Sequence, residues 1–199
     1  MQNPTIEHWK AVKCILRYLQ STINLGMTFT SCTNFRIIAF ADADWASDLD
    51  DWRSTFGYCV YLGTNLISWK CAKQSKVGRS STEAEYRAIA TAQTEIMSIQ
   101  LLLKELQITE KVSPTIYCDN LSSCHLSANP IMHGKSKHLE TDLHFIRDLV
   151  MKKHLFVVHL SAQDQVADIM TKALSVKLFE RFKSKLKLCD TLPNLEGGC

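Results

Sequence analysis

FRIIAFAD (35–42), TFGYCVYL (55–62) and LISWKC (66–71) decide the fold. All three are rich in β-branched and aromatic residues, which suit a pleated, half-buried surface. Gly63-Thr64-Asn65 separates the last two and is a hairpin signal. The reading is a three-strand antiparallel meander.

Outward from the meander, the period changes to a helical one. Residues 81–106 carry the longest helical pattern in the chain, opened by two overlapping capping boxes, Ser80 with Glu83 and Thr82 with Glu85. A short strand, TIYCD (115–119), follows Pro114, and Asn120 opens a short helix that stops near Pro130. A helix is expected over 137–152, with Leu139, Leu143, Ile146 and Val150 on one face. A strand over 154–160 and a helix over 163–174 complete the core. On the other side, residues 5–20 read as an amphipathic helix bearing Trp9, Val12, Ile15, Leu16 and Leu19, followed by an extended segment around 24–30. A basic amphipathic helix begins at Val176, and the end of the chain reads as loose. The order β-β-β-α-β-α-α-β-α implies an α/β fold: a five-stranded mixed sheet, the meander plus two parallel strands, flanked by helices.

Composition narrows the class. The chain has 199 residues, 46% apolar and 22% charged, as ordinary globular proteins do. No apolar run approaches the ~20 residues of a membrane helix, and the opening MQNPTIEHWK has no apolar signal core. The eight cysteines (14, 32, 59, 71, 118, 124, 189 and 199) include no C-x-x-C pair. Reduced, mostly buried thiols in an intracellular protein are expected. The net charge of +3 is too small to argue for a nucleic-acid partner, so charge distribution must do so.

Four acids draw attention. Asp42 ends an apolar strand, and ADADWASDLDD (41–51) holds four more aspartates, of which Asp48, Asp50 and Asp51 read as a solvated loop. Glu85 shares a helix face with Ile89, Ala92, Ile96, Ile99 and Leu103, the stripe that should meet the sheet. A carboxylate aimed at a core needs compensation, and either the capping box with Thr82 or a metal ion can supply it. Glu83 falls off that stripe beside Arg87 and reads as surface. Asp119 either caps the following helix or is freed by Asn120 taking that place. The local pattern groups Asp168 with Asp164 and Lys172 on an outward face. Lys70, Lys73, Lys76 and Arg79, and later Lys135, Lys137, Arg147, Lys152 and Lys153, form basic stretches fit for a phosphate backbone or for solvated helix faces. His133, His138 and His144 have a spacing that admits Zn²⁺, but no cysteine pair accompanies them.

Read together, the longer motifs carry a resemblance. HWKAVKCILRYLQSTINLG (8–26), ADADWASD (41–48), RSTFGYCVYLG (53–63), ISWKCAKQ (67–74), SSTEAEYRA (80–88), IYCDN (116–120), NPIMHGKSKHLETDLHFIRD (129–148) and ADIMTKAL (167–174) resemble, in order, the C-terminal end of a copia-type retrotransposon Pol polyprotein. The closing LEGGC (195–199) resembles the end of such polyproteins. The resemblance implies a ribonuclease H-like domain over 34–175. Residues 1–33 are then a remnant of the reverse transcriptase thumb or connection region, and 176–199 a basic helix and tail. It implies Asp42, Glu85, Asp119 and Asp168 as catalytic, metal-binding acids, with two Mg²⁺ ions that Mn²⁺ can replace. It implies an RNA–DNA hybrid as substrate, the reverse transcriptase portion as partner, and substrate contacts from Lys73, Arg79, Ser81, Asn120, Lys137 and His138. His159 is the nearest candidate for a catalytic histidine. The chain departs from the family's pattern at Cys14, Trp52, Phe56, Gly134, Ser136 and Lys137, positions of packing or substrate contact. Those departures keep open an inactive fragment that retains the fold and binds nucleic acid. A D-D-E integrase shares the fold but places its glutamate on the helix after the last core strand, whereas Glu85 comes second in order.

Overall fold

The three β-branched and aromatic stretches of the meander form the strands expected of them. In the computed structural model, which describes residues 3–108, 112–128 and 137–190 (backbone only for 137–139), these are β2 (Ile37–Asp44), β3 (Thr55–Leu62) and β4 (Asn65–Lys73). They follow α1 (Ile6–Thr22) and a short β1 (Leu25–Met27). Then come α2 (Ser81–Glu105), β5 (Thr115–Cys118), α3 (Leu121–Ala128), α4 (Lys137–Met151) and β6 (Phe156–His159). A 3₁₀ turn (Ala162–Asp164), α5 (Asp168–Thr171), α6 (Val176–Lys185) and β7 (Leu188–Asp190) complete the described chain.

The main sheet has the order β4-β3-β2-β5-β6. The meander strands pair antiparallel, while β5 and β6 run parallel to β2. One face of β2 and β3 presents Ile37, Ala39, Ala41 and Val60, all fully buried under Ile89, Ala92 and Ile96 of α2. Leu143 and Ile146 of α4 extend that core. The other face carries a smaller cluster of Cys59, Tyr61, Leu66, Val166 and Leu186. β2 outruns its parallel neighbour: its pairing with β5 stops at Phe40 opposite Tyr117. Asp42 therefore lies within β2 but beyond the end of β5.

Three sequence expectations change. The helix expected over 163–174 is split into the 3₁₀ turn and the single turn of α5. Gln165 causes the break: it is extended, fully buried, and its side-chain amide donates to the Ala41 carbonyl of β2 at 2.8 Å. Residues beyond α6 are not simply loose, because β7 pairs antiparallel with β1 in a second, two-stranded sheet. Glu83 is buried rather than on the surface, at 2.6 Å from Arg87. Residues 191–199, including LEGGC, lie outside the described residues.

Gly57 positions α5. It sits directly opposite Asp42 in the β2–β3 register. A Cβ there would meet the Met170 Cβ at 2.5 Å and the Thr171 Cγ2 at 3.1 Å. The absent side chain lets α5 lie against β3, with Asp168 and Thr171 facing Asp42. Gly57→Ala is expected to push that turn away and cost about 1–3 kcal/mol. Thermal melting measures the loss, and a melting temperature equal to that of the wild type would remove this role for Gly57.

Candidate metal centre

Four acids reach one place from four elements. Asp42 comes from β2, Glu85 from the first turns of α2, Asp119 from the residue after β5, and Asp168 from the start of α5. Asp42 is wholly buried, Glu85 is 5% exposed and Asp168 6%. Asp119 is the most accessible, its side chain 16% exposed. Oxygens of Asp42, Asp119 and Asp168 lie within 4.8 Å of one another, and so do the donor atoms of Glu85, Cys118 and Asp119.

Local folding explains each placement. Ser80 caps α2 by accepting the Glu83 N–H at 3.2 Å, so the cap does not need Glu85. Glu85 is left on the sheet-facing stripe, where it accepts from the Ala43 backbone and shares a hydrogen bond with Asp42. The Cys118 thiol donates to its Oε2 at 3.6 Å. Asn120 caps α3 by accepting the Ser123 N–H at 3.0 Å, which frees Asp119. Asp168 is buried because the Gln165 break turns the start of α5 inward. The outward face read from the sequence assumed an unbroken helix.

Two residues with no assigned role complete the cluster. Thr171 donates its hydroxyl to Asp42 Oδ2. The Lys172 ammonium lies 3.0 Å from Asp42 Oδ1, 2.8 Å from Asp168 Oδ1 and 4.0 Å from Asp119 Oδ2. The sequence signal for Lys172 was its i,i+4 spacing from Asp168, but nothing local showed that it would turn inward. His159 is exposed, with Nε2 3.2 Å from the Asp119 carbonyl oxygen.

The electrostatics follow from crowding. Burial, then the charges of Asp42 and Asp119, push the Glu85 carboxyl up to about 9. Burial lifts Asp168 to about 6 against the opposing hydrogen bond from Lys172. Asp119 is raised by burial and by Asp42. Burial works against the Lys172 ammonium, but the hydrogen bond to Asp168 and the charge of Asp42 prevail and push it up. At neutral pH Glu85 thus holds a proton shared toward Asp42. The all-oxygen carboxylate set, already gathered around a positive group, suits a hard divalent cation.

The other expected contacts are dispersed. Arg79 and Ser81 are exposed at the start of α2, and Asn120 is half-buried beside Asp119. Lys73 is engaged by Asp48, with Asp51 3.4 Å away. The side chains of Lys137 and His138, and all of His133, lie outside the described residues; His144 is exposed. Trp45, at the end of β2, is half-exposed and donates its indole N–H to the Gly78 carbonyl at 2.9 Å, tying the strand end to the loop before α2.

The chain is 46% identical over 197 residues to the retrovirus-related Pol polyprotein from transposon RE2 of Arabidopsis thaliana, a match covering 99% of the chain. It is 47% identical over 194 residues to that from transposon RE1 of the same plant, and 36% over 198 residues to that from transposon TNT 1-94 of Nicotiana tabacum. Over nearly its whole length the chain is therefore similar to copia-type retrotransposon Pol polyproteins. It spans only 14%, 13% and 14% of the length of those relatives. No family model matches. Among solved structures, an RNase H1 isolated from compost superposes with a TM-score of 0.52 at 15% identity, over 69% of this chain and 93% of that one. The N-terminal RNase H domain of a Mycobacterium tuberculosis protein gives 0.51 at 10% identity, over 76% and 98%. The fold is ribonuclease H-like. Among the described residues no helix is long and apolar enough to cross a membrane.

The raised acids set a pH dependence for the metal-free protein. An acid whose folded value lies above its unfolded value stabilises the fold while protonated, below the unfolded value. That contribution is lost as pH rises through the folded value. In EDTA, stability is therefore expected to fall between about 4.5 and 9 through Glu85, and more steeply below about 6, where Asp168 also titrates. The slope from one group is at most ~1.4 kcal/mol per pH unit. Glu85→Gln should flatten the fall above pH 6 in chemical denaturation series. A wild-type stability that rises over that range would contradict the protonated Glu85.

Proposed function

We propose that this segment is a ribonuclease H: it cuts the RNA strand of RNA–DNA hybrids in Mg²⁺, with Mn²⁺ able to substitute, as part of a Pol polyprotein that also carries reverse transcriptase. The observation that carries the reading is the meeting of Asp42, Glu85, Asp119 and Asp168, from four separate elements, at the end of the sheet. Four buried or half-buried acids in contact weaken a fold unless cations join them, and Lys172 brings only one positive charge to the group.

Asp42 is the shared member, bonded to Glu85 on one side and grouped with Asp119 and Asp168 on the other. With Asp119, Glu85 and Asp168 it would hold the divalent ions. When bound, such ions polarise the scissile phosphate and lower the pKa of an attacking water. The protein's part is orientation. Thr171 fixes the Asp42 carboxylate, Gln165 anchors the 161–168 segment to β2, and Asn120 keeps Asp119 free of capping. Arg79 and Ser81, exposed at the start of α2, are placed to meet the backbone of the hybrid, and Asn120 lies beside the acids. Discrimination for RNA would rest on 2′-hydroxyl contacts across the wide minor groove. Lys73, paired with the loop acids, would have to exchange them for phosphate, while Lys137 and His138 are proposed contacts on sequence grounds alone.

Asp42→Asn and Asp119→Asn are each expected to abolish Mg²⁺-dependent cutting of an end-labelled hybrid while the protein still melts cooperatively. Gel shifts with the same hybrid in EDTA should show binding by wild type and by both variants. Cutting by Asp42→Asn at the wild-type rate would sink the assignment. Wild-type binding without any cutting in Mg²⁺ or Mn²⁺ would replace it with the inactive, hybrid-binding reading.

A further inference from the structure

The Lys172 ammonium touches acids from three elements at once. It sits 2.8 Å from Asp168 in α5, 3.0 Å from Asp42 in β2 and 4.0 Å from Asp119 after β5. An ordinary i,i+4 surface pair joins one acid and leaves its amine in water. Here the amine meets a fully buried aspartate oxygen instead. Oxygens of these same three acids lie within 4.8 Å of one another.

We propose that Lys172 is a built-in counter-ion that occupies a cation position of the metal-free site and must leave before metal enters, an inference that rests on the metal-site reading above. Mg²⁺ binds carboxylate oxygens at about 2.0–2.1 Å and demands near-octahedral geometry. An ammonium 2.8–3.0 Å from the Asp42 and Asp168 oxygens fills that space and adds like charge to it. The two cations therefore exclude each other. Lysine suits the role because its charge is a compact point on a flexible four-carbon stem. The Lys172 side chain is also 34% exposed, so it has a route out. In the metal-free protein the same contact joins β2, α5 and the end of β5, holding the acids in register while no metal is bound.

The test uses the full chain. A short pulse of acetylating reagent is read at each lysine by mass spectrometry, with exposed Lys177 as internal reference. In EDTA, Lys172 should react more slowly than Lys177. Saturating Mg²⁺ should speed Lys172 about fivefold or more, the low end of ordinary coupling between two ligands, and leave Lys177 unchanged. Asp42→Asn should abolish that response. By calorimetry, Lys172→Met should bind Mg²⁺ about fivefold or more tightly than wild type. In EDTA it should melt about 4 °C or more lower, with the gap closing in Mg²⁺. Lys172→Arg should restore most of the melting temperature in EDTA. If Lys172→Met does not fold, labelling of the wild type decides. Asp42-dependent Mg²⁺ binding with an unchanged Lys172 labelling rate overturns the counter-ion alone. No Asp42-dependent Mg²⁺ binding overturns the metal site, and the displacement with it.

Discussion

Asp42 has no access to water, and its carboxylate must be satisfied from within the protein. Its two oxygens take up the Thr171 hydroxyl and the Lys172 ammonium, and it shares a hydrogen bond with Glu85. Removing any one of these leaves a buried acid uncompensated, which is far more costly than losing a surface ion pair. The position of α5, the inward turn of Glu85 and the raised Glu85 carboxyl all answer to that one buried group.

The backbone is arranged so that these groups can meet. β2 extends past β5, so an acid on β2 and the acid that follows β5 stand side by side. Gly57 removes the side chain that would keep α5 off β3. Gln165 hydrogen-bonds to the β2 backbone with its side chain and so ends the preceding helical turn. Each is a modest contact, but together they bring a turn of four residues within hydrogen-bond distance of a strand 126 positions earlier, as the Asp42–Asp168 separation measures it.

How much of this the sequence discloses depends on the range of the interaction. Glu85 was legible because helix phase is local: its place on the Ile89–Leu103 stripe already aims it at the sheet. Asp119 was half legible, since Asn120 beside it offered a second cap and the structure uses that cap. Asp168 was illegible by pattern, because the break at Gln165 is made by a hydrogen bond to Ala41, and only the family resemblance singled it out. Lys172 was misread for the same reason. The β1–β7 pairing, with Leu25 opposite Asp190, joins segments that lie far apart in the chain, a separation that no local periodicity reports. Glu83 was misread as surface because its position off the α2 stripe hid the bond it accepts from the Arg79 backbone.

Charge balance ties the metal-free and metal-bound forms together. Crowding pushes the Glu85 carboxyl up, and Lys172 sets one positive charge against Asp42 and Asp168. On the counter-ion proposal, a Lys172 that swings out leaves its place among the Asp42, Asp119 and Asp168 oxygens to a divalent ion. The ammonium would then be a placeholder on the Asp168 side of Asp42, while Glu85 lies on the other side. The raised Glu85 carboxyl and the inward Lys172 thus have one cause: four acids are packed together where water barely reaches them.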